Sequence, residues 1–297
     1  MTTHSTPPLP VHGTVPLRAR WESWMRELIE SPQQVTGLTS RYGSPVNALN
    51  PAPLRHNAQE LLDAGASHGV ETQVFFARKA NKALCFVDAA REAGLGVDVA
   101  SENELRQVLS REVAPDHIIL SAAIKTESLL SLAVSQGVTI SCDSRAESAR
   151  IAAIAQDLRT TARVAPRLAP DPAHLPPTRF GEKLRAWRQV EWPESLLVAG
   201  VHVHLHGYSE ADRRTALAEA ISLVEHLRAV GQPAGFIDIG GGVPMSYLES
   251  REQWENYLEC IASQRAGTGE PFTWKSDPLS NTYPFWQEPT RGEWLDL

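Results

Sequence analysis

The 297-residue chain has little cysteine, no excess of basic charge and no long apolar run. Its three cysteines, Cys85, Cys142 and Cys260, are odd in number and form no C-x-x-C pair. A disulfide framework or a thiolate metal site therefore has little support, and a reducing, cytoplasmic setting is expected. The formal net charge of -7 lacks the basic excess that nucleic acid or an anionic membrane selects. No apolar stretch is long enough to span a bilayer, and the opening MTTHSTPPLPVHGTVPLRAR lacks the apolar core of a secretory signal. No G-x-G-x-x-G opens the first βα unit, so the dinucleotide fingerprint is missing as well. What is present is a globular chain, of a length that suits one α/β barrel or two ordinary domains, with a small molecule as the expected ligand.

Short apolar runs recur at Val74–Ala77, Gly96–Ala100, Ile118–Ser121, Thr139–Cys142, Arg163–Leu168, Val198–Leu205 and Phe236–Ile239, and each reads as a strand. Between them, Leu84–Ala93, Glu102–Leu109, Ser128–Ser135, Ala146–Asp157 and Arg213–Val230 read as helices. Ser101-Glu-Asn-Glu104 and Ser144-Arg-Ala-Glu147 have the S-x-x-E form of a capping box directly after a strand, which implies short βα loops. Strict alternation implies parallel strands with right-handed crossovers, in either a doubly wound sheet or a (β/α)8 barrel. Polar residues interleaved within the strands favour the barrel, whose interior a ligand can reach. The expected organisation is a tail and helix over residues 1–35, a barrel over 36–270 and an irregular segment over 271–297. The Pro-rich opening to about residue 16 reads as a tail, and Trp21–Ile29 as a short amphipathic helix.

Three constellations carry chemistry. In Val74-Phe-Phe-Ala-Arg-Lys-Ala-Asn-Lys82, alternation puts Phe75, Ala77 and Lys79 on one face, so that Lys79 ends an inward row. An amine at the end of a buried strand suits Schiff-base chemistry, whereas most lysines are solvated. In Val201-His-Val-His-Leu-His206, alternation places His202, His204 and His206 together. They read as a zinc pair on one strand, as ordinary core or surface histidines, or as a flat ring that stacks on an aromatic cofactor. Phe236-Ile-Asp-Ile-Gly-Gly-Gly242 runs a strand into three glycines. Such a turn is either merely flexible or a backbone cradle for a phosphate. Arg167 shares a face with Arg163 and Ala165 and points inward or joins a surface ion pair; Asp98 and Asp143 sit at strand ends, where helix capping is the simpler role.

Amine, ring and phosphate cradle on three strands are what pyridoxal phosphate requires, and here the chain resembles the fold-type III decarboxylases of the diaminopimelate, ornithine and arginine group. Phe76-Ala-Arg-Lys-Ala-Asn81 is similar to the family's Tyr-Ala-Val-Lys-Ala-Asn, which makes Lys79 the implied catalytic Schiff-base lysine. Gly96-Val-Asp-Val-Ala-Ser101 with Glu104-Leu105 resembles its Phe-Asp-Val-Ala-Ser segment, which brings Asp98 and Ser101 to the cofactor side. His204 falls at the ring-stacking histidine, although the family's following Ile-Gly-Ser reads Leu205-His206-Gly207. Gly240, Gly241 and Gly242 match the phosphate loop, Arg179-Phe-Gly181 the Lys-Phe-Gly, and Arg41-Tyr-Gly-Ser-Pro45 the Tyr-Gly-Thr-Pro. The matches run in order from about Tyr42 to Pro244.

The resemblance implies a TIM-type barrel of the alanine racemase-like kind, incomplete at its C-terminal end and without the family's β domain. It implies decarboxylation of an α-amino acid with pyridoxal 5'-phosphate, and a homodimer or a second chain that supplies the rest. Arg167 joins the expected cofactor-side residues, and no metal is expected. Glu288-Pro-Thr-Arg-Gly292 resembles the family's Glu-Pro-Gly-Arg only superficially, so Glu288 is a weak candidate for the acid at the ring nitrogen. The alternatives are a non-catalytic cofactor-binding or partner-completed chain, and a metal-dependent barrel hydrolase using His202 and His204.

Overall fold

The computed structural model describes residues 11–13, 17–279 and 283–297. They form two compact units, one of residues 50–243 with 291–297 and the other of 1–49 with 244–290.

The larger unit is built on parallel strands β1 (Phe75–Ala77), β2 (Gly96–Val99), β3 (Ile118–Leu120), β4 (Thr139–Cys142), β5 (Ala162–Leu168), β6 (Leu196–Val198), β7 (Gly200–Val203) and β8 (Phe236–Asp238). Neighbours run β1-β2-β3-β4-β5-β7-β8, and β6 also pairs with β5. The helices between them are α2 (Leu84–Glu92), α3 (Glu102–Ser110), α4 (Glu127–Ser135), α5 (Arg145–Asp157), α6 (Leu184–Trp187) and α7 (Glu210–Ala229). Helix α1 (Ala52–Ser67) precedes β1, and α8 (Arg291–Leu295) belongs to the same unit. This is the barrel-type α/β sheet read from the sequence, with β1 and β8 as its edges among the described residues.

The expected strand Val198–Leu205 is instead two pieces that break at Ala199 and end at Val203. β5 pairs with β6 through Ala162–Val164 and with β7 through Arg167–Leu168. Every residue of β3 and of β4 is buried. Helices outside and side chains inside cover both faces of such strands, which therefore read as unbroken apolar runs. Val97, Ile118, Leu120, Ile140, Val164 and Val201 form the centre of one core with Leu105, Leu130, Ile151 and Leu223. Each such fully buried aliphatic side chain contributes about 1.5–3 kcal/mol.

Both capping boxes form. Ser101 Oγ accepts from the Glu104 N–H at 3.3 Å and Ser144 Oγ from the Glu147 N–H at 3.1 Å. The two glutamates reach back one residue beyond the cap, to the N–H of Ala100 and of Asp143, each at 2.8 Å. Each also takes a lysine from the preceding loop: Lys82 pairs with Glu104, and Lys125 with Glu147 at 2.8 Å. The repeated device ties the loop after β1 to the start of α3, and the loop after β3 to the start of α5.

In the smaller unit, helices Ser23–Ile29, Pro32–Tyr42 and Arg251–Arg265 accompany an antiparallel sheet of Val11–His12, Thr273–Trp274 and Asp277–Pro278. Tyr257, Ile261 and Phe272 pack with Trp254 in its core. Most of the expected N-terminal tail lies outside the described residues, but Val11–His12 pairs as a strand. Residues 271–297, read as irregular, contain two strands and α8.

Candidate active site

The side chains singled out in the sequence gather at the C-terminal ends of the strands, where parallel barrels build their sites. β1 ends at Ala77 and the chain turns at once, with the Arg78 N–H on Asp98 O at 2.9 Å and the Ala80 N–H on Ala77 O at 3.0 Å. Arg78, 1% exposed, fixes the turn by donating to Lys82 O at 2.6 Å and to Gln107 Oε1 at 2.5 Å. Lys79 is therefore not the end of a buried row: alternation stops at Ala77, and the Lys79 side chain is 51% exposed. Its Nζ lies 2.8 Å from Asp98 Oδ2 and donates to Ser121 Oγ at 3.1 Å. The next two strands thus brace the amine. Asp98 caps no helix, because Ser101 does so; its Oδ1 is buried and meets no hydrogen-bond partner.

Arg167 on β5 is buried, which settles its orientation as inward. It donates to Asp143 Oδ1 at 3.2 Å, and its guanidinium stands 4.7 Å from the centre of the Phe180 ring. Asp143, like Asp98, leaves capping to the serine that follows it. Ser101 spends its hydroxyl on the α3 cap.

His202 on β7 is buried against Ser141, with Nδ1 2.5 Å from Ser141 Oγ and Nε2 3.9 Å from Asp238 Oδ2. Burial, then the charges of Arg167, His204 and Lys79, push its pKa down to about 3. The ring is neutral at any physiological pH. His204 lies just past the end of β7, its ring centre 6.4 Å from that of His202. Partial burial and the positive charges of Arg167, Lys79 and Arg213 lower its basicity too. His206 falls in a bend and does not continue the row, because the strand stops at Val203.

Asp238 closes β8, and its Oδ1 accepts the Gly240 N–H at 2.8 Å. Burial raises its pKa above the usual carboxylate range, against the opposing charges of His204, Lys79 and Arg167. In the glycine turn, Gly240 has φ +73° and Gly242 φ +85°, a region that costs L-residues with a Cβ. A Cβ on Gly240 would also lie 2.5 Å from His204 Nδ1, so the missing side chain lets the imidazole sit against the turn. A Cβ on Gly241 would meet nothing within 4 Å.

The convergence is electrostatic as well as topological: the Lys79 charge acts on His202, His204 and Asp238, from strands at the far side of the sheet path. An accessible amine, an orphaned carboxylate oxygen beside it, an imidazole of lowered basicity and a side-chain-free turn fit pyridoxal phosphate. Lys79 would hold its aldehyde carbon, His204 its ring and the glycine turn its phosphate. Among the described residues, no group of three or more His, Cys, Asp or Glu is arranged to hold a metal ion, and His202 Nδ1 already faces Ser141. Glu288, in the smaller unit, pairs with Arg251. Sequence reasoning missed Ser121, Ser141, Arg213 and Asp238. Asp238 carried a signal, since it stands at the end of a strand two residues before the glycines; the other three carried none.

Such a sheet, presenting amine, imidazole and glycine turn at one end, defines a pyridoxal-phosphate-binding barrel. The chain belongs to the pyridoxal-dependent decarboxylases: residues 55–272 match the family model described as the pyridoxal-dependent decarboxylase, pyridoxal binding domain. It is 28% identical over 264 residues to an uncharacterized protein, y4yA, of Sinorhizobium fredii, covering 86% of this chain and 55% of that one. It is 29% identical over 245 residues to the diaminopimelate decarboxylase of Methanothermobacter thermautotrophicus, covering 77% and 56%. The chain thus spans about half the length of these curated relatives. Among solved structures, diaminopimelate decarboxylase from M. jannaschii in complex with L-lysine shares the fold, with a TM-score of 0.64 and 21% identity over 76% of this chain and 60% of that one. So does SrLDC with PLP and cadaverine, at a TM-score of 0.59 and 22% identity over 79% and 61%. Among the described residues no helix is long and apolar enough to cross a membrane.

Proposed function

We propose that this chain is the cofactor-binding half of an α-amino-acid decarboxylase, with Lys79 as the residue that anchors pyridoxal phosphate. The observation that supports this most is the placement of the Lys79 amine, half exposed and 2.8 Å from Asp98, within electrostatic reach of the histidine and glycine groups of β7 and β8. When bound, pyridoxal phosphate supplies the electron sink for the pair left behind as the carboxylate departs. The nitrogen of Lys79 attacks only as the free amine. Asp98 and Ser121 then orient Nζ. His204, whose basicity is lowered by partial burial and by the charges of Arg167, Lys79 and Arg213, offers a flat face to the ring. Positive φ and the close neighbours His204 and Arg213 keep Gly240 and Gly242 without side chains, which leaves the backbone of the turn open to an anion.

Substrates of the diaminopimelate, ornithine or arginine type follow from the relatives, and turnover is assigned to an assembly with a second copy or a partner chain. Equilibrium titration of the purified chain with pyridoxal phosphate, followed by visible absorbance, tests the reading. Wild type is expected to develop a new band that Lys79→Ala lacks; a Lys79→Ala chain with the wild-type spectrum and affinity would overturn it.

A further inference from the structure

Arg213, from the first turn of α7, reaches over to the glycine turn. Its Nη1 donates to Ile239 O at 2.7 Å and its Nη2 to Gly241 O at 2.7 Å, with Gly207 O and Gly242 O at 3.5 Å. We infer that Arg213, covered by Trp294, positions the glycine turn and supplies a cation that draws a phosphate group to it. The inference rests on the reading of that turn as a phosphate cradle.

In a trans peptide the N–H points opposite to the C=O. With the Gly241 carbonyl held on the guanidinium, the Gly242 N–H faces away from Arg213, and among the described residues it meets no acceptor. The Ile239 carbonyl, held in the same way, turns the Gly240 N–H toward Asp238 Oδ1, where it is taken up. Arg213 thereby leaves the Gly242 amide as a free donor in a backbone of positive φ, a concavity suited to an anion.

No carboxylate among the described residues compensates Arg213, and burial is what shifts its basicity, downward. Its Nε is buried without a partner. The Trp294 ring lies 5.0 Å from the guanidinium carbon and is itself 5% exposed, with Nε1 donating to Tyr208 O at 2.9 Å. An aromatic face shields a cation from water without neutralising it. Helix α8, which carries Trp294, is tied to α1 by the Arg291–Glu60 pair at 2.6 Å. A half-buried, unneutralised cation beside a free amide wants a multiply charged anion. The chain has Gly207 where the family it resembles has a serine, and Arg213 takes up the Gly207 carbonyl instead.

The test compares binding of pyridoxal phosphate and of pyridoxal, which lacks the phosphate, to the full chain by titration calorimetry. Wild type is expected to prefer pyridoxal phosphate. In Arg213→Met that affinity is expected to fall roughly 10- to 100-fold, with pyridoxal affected less than about 3-fold. Arg213→Lys, which keeps the charge but lacks the planar fork that spans the two carbonyls, is expected to fall in between, and it serves if the methionine variant does not fold. Equal losses for both ligands would reduce Arg213 to a structural residue and overturn the proposal, as would wild-type preference in either variant. A wild-type chain without preference for the phosphorylated ligand would instead remove the phosphate reading of the turn, and the proposal with it.

Discussion

Acid should destabilise the barrel unit through His202, by an amount that its surroundings set. The ring is 4% exposed, and burial, with the positive charges of Arg167 and Lys79 nearby, brings its pKa from 6.5 down to about 3. An unfolded chain binds a proton on this histidine once the pH drops below its ordinary value, while the folded chain refuses it. The contribution of neutral His202 is therefore intact above the unfolded pKa and is lost as pH falls, at about 1.4 kcal/mol per pH unit. Between about pH 6.5 and 4.5 the loss comes to roughly 2–3 kcal/mol, and it reaches about 4 kcal/mol near pH 3. His204, whose pKa is also lowered, adds in the same direction. Asp238 opposes both: its raised pKa means that the folded chain takes up a proton before the unfolded one does, which favours the fold as pH drops. His202→Gln isolates the histidine, because the amide offers Ser141 a partner and does not titrate. Urea denaturation over this range, followed by far-UV circular dichroism, should show a shallower acid limb for His202→Gln than for wild type. Parallel limbs would refute the assignment of acid sensitivity to His202.

Other outcomes follow from the same structure. Lys125→Met leaves Glu147 buried beside an apolar side chain, since the two side chains are 0% and 7% exposed; a loss of about 3–5 kcal/mol in urea denaturation is expected. A loss within experimental error would mean that the pair is solvated. Gly240→Ala should cost about 1–2 kcal/mol for its positive φ alone and displace His204, weakening cofactor binding. Gly241→Ala, with open space around its Cβ, should keep wild-type stability, and a reversed order of the two variants in thermal melts would contradict the turn geometry. Asp98→Asn should slow attachment of pyridoxal phosphate to Lys79 in stopped-flow absorbance, by removing the carboxylate that holds Nζ in place; an unchanged rate would mean that Asp98 does not position the amine.

The sheet was legible because its strands are short apolar runs between capped helices, and Ser101 and Ser144 announce their helices locally. The site was legible by strand, less so by side-chain direction. Alternation carried beyond Ala77 buries Lys79 and carried beyond Val203 aligns His206, but in both places the backbone leaves the strand first, held by hydrogen bonds that depend on neighbouring strands. Asp98 looks like a cap because aspartate caps well; only the pairing of β2 with its neighbours shows that it is still in a strand, facing Lys79. The Lys82–Glu104 and Lys125–Glu147 pairs join residues 22 apart, and Arg213 reaches 28 residues to Gly241. No local rule reports such partners.

The central claim, that Lys79 anchors the cofactor, is tested most directly by borohydride reduction of the chain incubated with pyridoxal phosphate, followed by peptide mass mapping. The account predicts one phosphopyridoxyl group, on the peptide containing Lys79, and none on Lys82, which pairs with Glu104 away from Asp98 and Ser121, or on Lys125, whose side chain is fully buried. Label on another lysine, or none at all, would contradict it.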